Sequence, residues 1–385
     1  MKKNIQLLIG GDLFPTPINE KYFIEGDIDF IFDKEILELF DRADFSICNL
    51  EGCFTNEQTK EKLKFGPNIR ASKESILAIK KLGVDCVSLA NNHATDYGIQ
   101  GLNDTVEVLT GAGIDFFGAG ENKDSITSYY IVTISNMRIV FYGVSETCEN
   151  TPTATKCGVN IYDEYRICKE IQKLKKENDI VVVMYHGGVE NIHYCTNLVR
   201  ERFHRLADNG ADIIISQHTH AVGEEEWYNG SYLLYGQGNF CFHFSKKNYE
   251  WTSTALLLYV TINDEGMKID KHLVRREGPR VVYDKNQDLS SFYERSKRLQ
   301  DGDEFLKELD ELAEEKLLSY LRAFRGKNLI DRIVRKISPQ EKYASYLKSR
   351  FTQKQILQIL LAMQGEEYRD ISATGLKNML DESIQ

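Results

Sequence analysis

Polar residues of the types that bind metals and move protons follow several short apolar segments of this chain. The segments are predicted β-strands, and each is followed by a carboxylate, an amide or an imidazole. Ligands in open α/β sheets bind at the carboxyl ends of the strands, so we expect these side chains to meet. The five sets are Gly10-Gly11-Asp12, Asn49-Leu50-Glu51-Gly52, Asn91-Asn92-His93, His186-Gly187-Gly188-Val189-Glu190 and Gln217-His218-Thr219-His220.

Taken singly, each set also has an ordinary structural interpretation. An Asp after a strand is usually a turn or a helix cap, and a His such as His186 is more often a hydrogen-bonded structural residue. The pair His218-x-His220 alone is a weak zinc-type pattern. Five such sets together, holding four of the 8 histidines of the chain, favour a common site.

The donor types indicate which metals this site would take. Imidazoles, carboxylates and an amide oxygen, without thiolates, favour Mn²⁺, Fe or Zn²⁺ over soft metals. A carboxylate with His ligands on either side is typical of a two-metal hydrolytic site. We therefore expect a divalent metal cofactor, with one or two ions.

The elements that must position these residues alternate between strands and helices. Continuously apolar strands indicate a sheet buried on both faces. Hairpins predicted at Ser135-Asn136 and Asp264-Glu265-Gly266 add antiparallel strands, so the predicted class is α/β with mixed strand directions. Strands are predicted near residues 5–10, 45–50, 84–90, 114–118, 129–134, 137–144, 179–186, 211–216, 232–240, 254–262 and 267–275. Helices are predicted near residues 34–41, 73–82, 99–110, 163–176 and 197–209.

Strand signals stop after about residue 285, which predicts a domain over 1–285 and a helical C-terminal region over 286–385. Amphipathic helices are predicted over 304–324 and 351–363, and a capping box starts another helix at Ser338. This helical extension could dock on the main domain, cover the site or mediate self-association into a homo-oligomer.

Composition excludes several classes of protein. The 385 residues carry 48 basic against 58 acidic side chains, a net charge of −10, which argues against a nucleic-acid partner. No apolar run reaches the length of a membrane span, and the run after Met1-Lys2-Lys3 is too short for a signal peptide. We therefore expect a cytoplasmic protein. The 8 cysteines show no C-x-x-C pair and are interpreted as buried thiols.

In order and spacing, the motifs resemble the CapA/PgsA family, the bacterial capsule and poly-γ-glutamate biosynthesis proteins, a branch of the calcineurin-like metallophosphoesterases. The resemblance covers roughly residues 4–245 and leaves the helical C-terminus outside. Besides the five sets above, it is carried by Ala94-Thr95-Asp96-Tyr97-Gly98, Gly210-Ala211-Asp212 and Tyr235-Gly236-Gln237-Gly238-Asn239-Phe240.

The resemblance implies a four-layer α/β/β/α metallophosphatase-like sandwich and suggests a role for each position. Asp12 and His220 would bind a first metal and Glu51 would bridge to a second. His93 would be the non-ligand histidine that stabilises the attacked group or protonates the leaving oxygen. The second-metal ligands would be Asn92, His186 and His218; Asp96 would orient His93; and Glu190 and Asn239 would contact substrate, although Asn239 could equally cap a turn.

The chain departs from the wider superfamily at two positions. Phe14 stands where metallophosphoesterases place a His two residues after the first Asp, and Glu51 stands where they use Asp. Both features occur in the CapA branch, which weakens the expectation of strong phosphatase activity. Gly187 replaces a frequent Trp, and the N-terminal membrane anchor of PgsA-like members is not expected here.

Two functions follow from the resemblance. The first is a metal-dependent hydrolase acting on a phosphoester or an amide-type anionic substrate such as poly-γ-glutamate. The alternative is a non-catalytic accessory factor of capsule synthesis that binds an anionic polymer. The His93–Asp96 pair favours the enzyme, and the imidazole missing at position 14 favours the accessory factor. Outside the motifs, Glu224-Glu225-Glu226 is interpreted as a solvated turn, with a place at the pocket rim as the alternative.

Overall fold

The computed structural model describes residues 4–64, 66–146, 150–243 and 250–301, and in the C-terminal region residues 307, 310–311, 352–364, 368 and 371. The chain forms two compact units, Met1–Lys62 with Asn68–Gln300 and Leu63–Pro67 with Asp301–Gln385. The first unit includes the helix Ser290–Arg298, which lies beyond the predicted domain boundary. The domain division after residue 285 stays a prediction.

The described strands follow the apolar runs of the sequence. They are β1 (Ile5–Leu13), β2 (Phe45–Leu50), β3 (Cys53–Phe54), β4 (Arg70–Ala71), β5 (Cys86–Ser88), β6 (Asp115–Phe117), β7 (Ala119–Gly120), β8 (Tyr129–Ile134), β9 (Met137–Ser145), β10 (Gly158–Val159), β11 (Ile180–His186), β12 (Ile213–Gln217), β13 (Glu225–Tyr228), β14 (Ser231–Leu234), β15 (Thr254–Asn263), β16 (Gly266–Glu277) and β17 (Arg280–Tyr283). The α-helices of the first unit are α1 (Glu20–Glu25), α2 (Ile28–Ile31), α3 (Lys34–Arg42), α4 (Ile76–Leu82), α5 (Gly98–Ala112), α6 (Glu164–Glu177), α7 (Asn197–Asp208) and α8 (Ser290–Arg298).

The first sheet has seven strands in the order β17-β16-β15-β1-β2-β5-β6. β1, β2, β5 and β6 run parallel, whereas β15 joins β1 antiparallel and continues into β16 and β17 as a meander. Asp12 at the end of β1 lies in register with Asn49 at the end of β2. The parallel half of this sheet therefore brings the first two predicted sets to one edge.

The second sheet has six strands in the order β13-β14-β12-β11-β9-β8. Its four central strands are parallel, and an antiparallel strand lies at each edge. The hairpin between β8 and β9 turns at Ser135 and Asn136, whose φ angles of 52° and 72° are those of a type I′ turn. His186 ends β11 in register with Gln217 at the end of β12, so two further sets meet here.

The two sheets pack face to face, with helices on both outer faces. Because side chains alternate along a strand, Leu7 and Ile9 of β1 enter the core between the sheets, where they join Phe141 and Met184 of the second sheet. Leu8 points the other way, into a core that α3, α4 and α5 complete. The buried faces of α6 and α7 cover the second sheet. The predicted four-layer α/β/β/α sandwich is confirmed.

The C-terminal region is described in part. A helix over Gln353–Gln364 confirms the one predicted over 351–363. The helix predicted over 304–324 falls almost entirely outside the described residues, and the one starting at Ser338 falls wholly outside them. Among the helices of the described residues, none combines the length and hydrophobicity that a membrane span needs. No two of the described cysteines form a disulfide.

Candidate metal centre

The site begins where β1 and β2 end, because their last polar residues bond to each other. The Nδ2 atom of Asn49 donates a hydrogen bond of 2.8 Å to Oδ1 of Asp12. The same amide lies 3.3 Å from Nδ1 of His186, which ends β11 in the other sheet. Asn49 therefore links the two sheets at their carboxyl edges and holds one carboxylate oxygen of Asp12 in place.

Two neighbouring sets converge on His186. Its Nε2 atom lies 2.7 Å from Oδ1 of Asn92 and 3.6 Å from Oε1 of Glu51. All three side chains are buried, and Glu51 is fully so. Buried carboxylates and imidazoles are tolerated where they are paired or coordinate a metal. This arrangement of one imidazole, one amide oxygen and one carboxylate suits a divalent cation.

The segment after β12 brings two more histidines to the site in strained backbone. His218 and His220 have φ angles of 86° and 55°, a region that residues other than glycine seldom adopt and that clusters at functional sites. The backbone N–H of His218 faces Oδ2 of Asp12 at 3.4 Å, and Nδ1 of His220 lies 3.6 Å from the same oxygen. Nε2 of His218 lies 3.8 Å from Oε1 of Glu190.

The electrostatic surroundings of these two histidines differ. Burial lowers the pKa of His218 to about 4, so its imidazole is neutral at pH 7 and keeps a lone pair. Burial also lowers the pKa of His220, but the carboxylate of Asp12 outweighs that effect and the pKa lies above its ordinary value. The carboxylate of Asp12 thus stabilises a positive charge beside it. That charge can be the proton on His220 or a bound cation.

His93 is oriented by a carboxylate. Its Nδ1 atom donates to Oδ2 of Asp96 at 2.7 Å, and the backbone N–H of Ile69 donates to the same oxygen at 2.8 Å. A carboxylate only accepts, so Nδ1 carries the proton and Nε2 is left with the lone pair in the neutral ring. That Nε2 atom lies 3.9 Å from Oε1 of Glu51, so it faces the cluster of candidate ligands.

The donor set fits a metal site. Among the described residues, three groups of imidazoles and carboxylates have donor atoms within 4.8 Å of one another. Nδ1 of His218 is buried and has no hydrogen-bond partner among the described residues, a cost that a ligand would remove. The groups are Glu51 with His186 and His218, Glu190 with His218 and His220, and Asp12 with Glu51 and His220.

The structure brings the predicted site residues together. The predicted ligands Asp12, Glu51, His186, His218 and His220 all belong to these groups. The amide of Asn92 lies against one of them, His186. Their roles as ligands stay predictions, as do the catalytic roles of His93 and Asp96.

Two predicted substrate contacts, Glu190 and Asn239, lie next to the candidate ligands. Glu190 lies within reach of a cation shared with His218 and His220, and its side chain is half-exposed. Asn239 is buried, and its Oδ1 atom accepts a 2.8 Å hydrogen bond from Nδ1 of His220. Each is therefore placed to act on the candidate ligands themselves, and contact with substrate stays a prediction for both.

Two amides to which the sequence motifs assign no role, Asn91 and Asn49, organise the site. Asn91 donates to the backbone carbonyl of Leu50 at 2.8 Å and accepts from the backbone N–H of His93 at 3.0 Å. Asn49 bridges Asp12 and His186 as described above. Both residues stood inside the recognised motifs, and their position beside predicted ligands was the available signal.

The residue at position 14 packs away from the cluster of candidate ligands. Phe14 is fully buried in the core between the first sheet and its helices, with its ring centroid 5.1 Å from that of Phe54. A Cβ atom at Gly52 would lie 2.5 Å from the Phe14 ring, so the glycine leaves room for it. Position 14 therefore contributes to packing, and Gly52 next to Glu51 accommodates it.

The interpretation of Glu224-Glu225-Glu226 as a solvated turn is wrong. Glu224 is fully buried and pairs with Arg298. Glu225 and Glu226 lie on β13 and pair at 2.8 Å with Lys271 and at 3.0 Å with Arg200. The three carboxylates tie β13 and the residue before it to α8, β16 and α7, because each has a basic partner on another element.

The fold and the site together define a four-layer α/β protein with a cluster of imidazole and carboxylate donors at the strand ends. The family model described as bacterial capsule synthesis protein PGA_cap matches residues 6–244, more than half of the chain. The chain belongs to this family, which confirms the resemblance to CapA-type capsule biosynthesis proteins.

Two curated relatives agree with this placement. The chain is 29% identical over 260 residues to PGA biosynthesis protein CapA of Bacillus subtilis (strain 168), covering 65% of this chain and 66% of that one. It is 30% identical over 251 residues to capsule biosynthesis protein CapA of Bacillus anthracis, covering 63% and 60%. The alignments thus span less than two thirds of either relative.

Among solved structures, the chain is similar to a 5'-nucleotidase precursor from Thermus thermophilus. The TM-score is 0.40 at 13% identity, and the match covers 73% of this chain and 54% of that one. At this TM-score the likeness is loose, and the fold rests on the two sheets and four layers described above.

Proposed function

We propose that the chain holds one or two divalent ions and hydrolyses a phosphoester or an amide-type anionic substrate in capsule or poly-γ-glutamate synthesis. The observation that carries this proposal is the convergence of donors from both sheets. Six imidazole and carboxylate residues lie in three overlapping groups, and within each group the donor atoms are within 4.8 Å of one another. Family membership supplies the biosynthetic context.

The proposed ligands divide between two positions that share Glu51. Asp12 and His220 would hold a cation on one side. His186, His218 and the amide oxygen of Asn92 would hold one on the other. A divalent ion in such a site lowers the pKa of water and neutralises developing negative charge.

The chain's own residues would orient the substrate and move a proton. Asp96 accepts from Nδ1 of His93 and so fixes the ring with Nε2 toward the candidate ligands. In its protonated form, that Nε2 would donate to an oxygen of the attacked group or to the leaving atom. Because His93 and Asp96 are buried, this hydrogen bond would be formed in a region of low dielectric, where it is stronger than in water.

A second candidate function is an accessory factor that binds an anionic polymer without cleaving it. Phe14 favours the accessory factor, because its side chain packs in the core and supplies no imidazole to the Asp12 side of the site. Binding alone would still use the cations, but it would not need His93 to be held by Asp96.

The two functions are separated by assays on the protein purified with Mn²⁺ or Zn²⁺. Phosphomonoesters, phosphodiesters and poly-γ-glutamate would be offered to the wild type, to His93→Ala and to the control His204→Ala. The imidazole of His204, on α7, pairs with Glu226 of β13 and belongs to none of the candidate ligand groups. Turnover lost only in His93→Ala supports the hydrolase. Polymer binding without turnover, equal in all three proteins, supports the accessory factor.

A cytoplasmic location and self-association through the C-terminal helices also stay predictions. Cell fractionation tests the first. Light scattering on the full chain tests the second.

A further inference from the structure

Arg276, at the end of β16, bonds to two backbone carbonyls that lie ten residues apart in the chain. Its Nη1 atom donates to the carbonyl of Phe242 at 2.5 Å, and its Nη2 atom donates to the carbonyl of Thr252. A guanidinium suits this task because its planar fork presents several N–H groups in fixed directions. One side chain thus holds both ends of the segment between these residues.

Both residues that bond to Arg276 are connected to His220, Phe242 directly and Thr252 through Asn239. The ring of Phe242 stacks on the imidazole, with centroids 5.4 Å apart and an interplanar angle of 16°. The carbonyl of Thr252 also accepts a 3.2 Å hydrogen bond from Nδ2 of Asn239, which the second lone pair of a carbonyl oxygen permits. Arg276 is therefore linked to His220 by a ring contact and by a hydrogen-bonded chain.

The hydrogen-bonded chain determines which ring nitrogen of His220 carries the proton. A carbonyl only accepts, so the amide nitrogen of Asn239 must face Thr252 and its oxygen must face His220. That oxygen lies 2.8 Å from Nδ1 of His220, and since it also only accepts, Nδ1 must donate. In the neutral ring Nε2 then holds the lone pair.

We propose that Arg276 is a positioning residue that acts through Thr252 and Asn239 to hold His220 as the Nδ1–H tautomer, with Nε2 as its metal-binding atom. The tautomer is argued from these hydrogen bonds, and Oδ2 of Asp12, 3.6 Å from Nδ1, favours the same proton position. Its use in metal binding rests on the function proposed above. Metal-binding histidines are commonly fixed by a hydrogen bond at the other ring nitrogen, and loss of such a partner typically lowers metal affinity about 10- to 100-fold.

The test uses the full chain labelled with ¹⁵N at histidine and compares the wild type with Arg276→Gln. Arg275→Gln is the matched control, since the exposed Arg275 precedes Arg276 on β16 and pairs with Glu277 at 2.6 Å. Nitrogen spectra of the metal-free proteins at alkaline pH report the tautomer of His220. Titration calorimetry with Mn²⁺ or Zn²⁺ reports affinity.

We expect the wild type and Arg275→Gln to show a single Nδ1–H tautomer at His220 and equal metal affinity. Arg276→Gln should show a tautomer mixture and bind metal about 10- to 100-fold more weakly. Asn239→Leu, which keeps Arg276 and the similar side-chain size, should give the same change. This second variant keeps the test decisive if Arg276→Gln does not fold.

An unchanged tautomer in both variants would overturn the proposal. So would wild-type metal affinity in both. If the wild type itself binds no metal, the function proposed above fails, while the nitrogen spectra still decide whether Arg276 and Asn239 set the tautomer.

Discussion

Oδ1 of Asn92 and Nε2 of His186 lie 2.7 Å apart, although 94 residues separate them in the chain. Asn92 follows β5 of the first sheet, and His186 ends β11 of the second, so this contact crosses from one sheet to the other. Tetrahedral ligands about 2.1 Å from one ion lie about 3.4 Å apart. The pair is hydrogen-bonded as it stands, so a cation shared by the two atoms would take the place of the proton and spread them by roughly 0.7 Å.

Removing either of two buried histidines should reduce bound metal. His186→Ala and His218→Ala each delete a donor from the groups around Glu51 and His218, so we expect at least a roughly tenfold loss of affinity for Mn²⁺ or Zn²⁺. Elemental analysis after dialysis measures it, with His204→Ala as the control. Wild-type metal content in both variants would remove these two residues from the ligand set.

The His93–Asp96 pair should matter for turnover more than for metal content. If the chain is a hydrolase, His93→Ala should lower kcat by about 10²–10⁴-fold, because the proton donor is gone. Asp96→Asn should lower kcat less, since an amide can still bond to the ring but no longer carries the charge that favours one tautomer. Steady-state kinetics on the metal-loaded proteins measure both. A His93→Ala variant with wild-type kcat contradicts the role.

Alanine substitutions at two glycines should change the free energy of unfolding in opposite directions. A Cβ atom at Gly11, beside Asp12, would lie 2.5 Å from the backbone carbonyl oxygen of Gly238, so Gly11→Ala should lower the free energy of unfolding by roughly 2 kcal/mol. Gly111 lies exposed in α5 with nothing within 4 Å of such an atom. Gly111→Ala should therefore raise the free energy of unfolding by about 0.5–1 kcal/mol.

Urea denaturation of the two variants measures these changes. If Gly11→Ala is as stable as the wild type, the close approach of the segment around Gly238 to β1 is incorrect. Gly111→Ala is the control, because it measures the effect on the free energy of unfolding of adding a methyl group where nothing contacts it.

His193 should make the protein sensitive to mild acid. Burial lowers its pKa to about 4 in the folded state, against an ordinary value of 6.5. The unfolded chain therefore binds more protons than the folded chain as the pH falls from 6.5 toward 4, and stability falls across that window. His193→Gln should remove on the order of 1 kcal/mol of the stability difference between pH 7.5 and pH 5.

Denaturant titrations at the two pH values measure this difference for wild type and variant. Equal pH dependence in the two proteins would mean that other groups, such as His218, account for the acid sensitivity.

The positions of Asp12, Asn92 and His186 could be predicted from sequence because each lies at or just after the end of a plainly apolar strand. Parallel strands then bring their carboxyl ends to one edge without further information. The partner of Asn239 could not be predicted, since its hydrogen bond to Thr252 joins residues that are 13 positions apart in the chain.

Charged residues illustrate a second limit. Arg276 sits among Arg275 and Glu277, and nothing in the local pattern distinguishes the guanidinium that turns inward from the one that faces solvent. The prediction of a solvated turn at 224–226 is wrong for the same reason, because the basic partners of these glutamates come from other elements. A pattern of adjacent residues does not predict which charged side chains pair across the folded structure.

Anomalous diffraction from crystals of the full chain soaked with Mn²⁺ or Zn²⁺ tests the proposed metal centre most directly. We expect at least one strong peak about 2.0–2.3 Å from donor atoms of Glu51 and of the histidines at 186, 218 or 220. A well-diffracting soaked crystal with no peak among these side chains would contradict it.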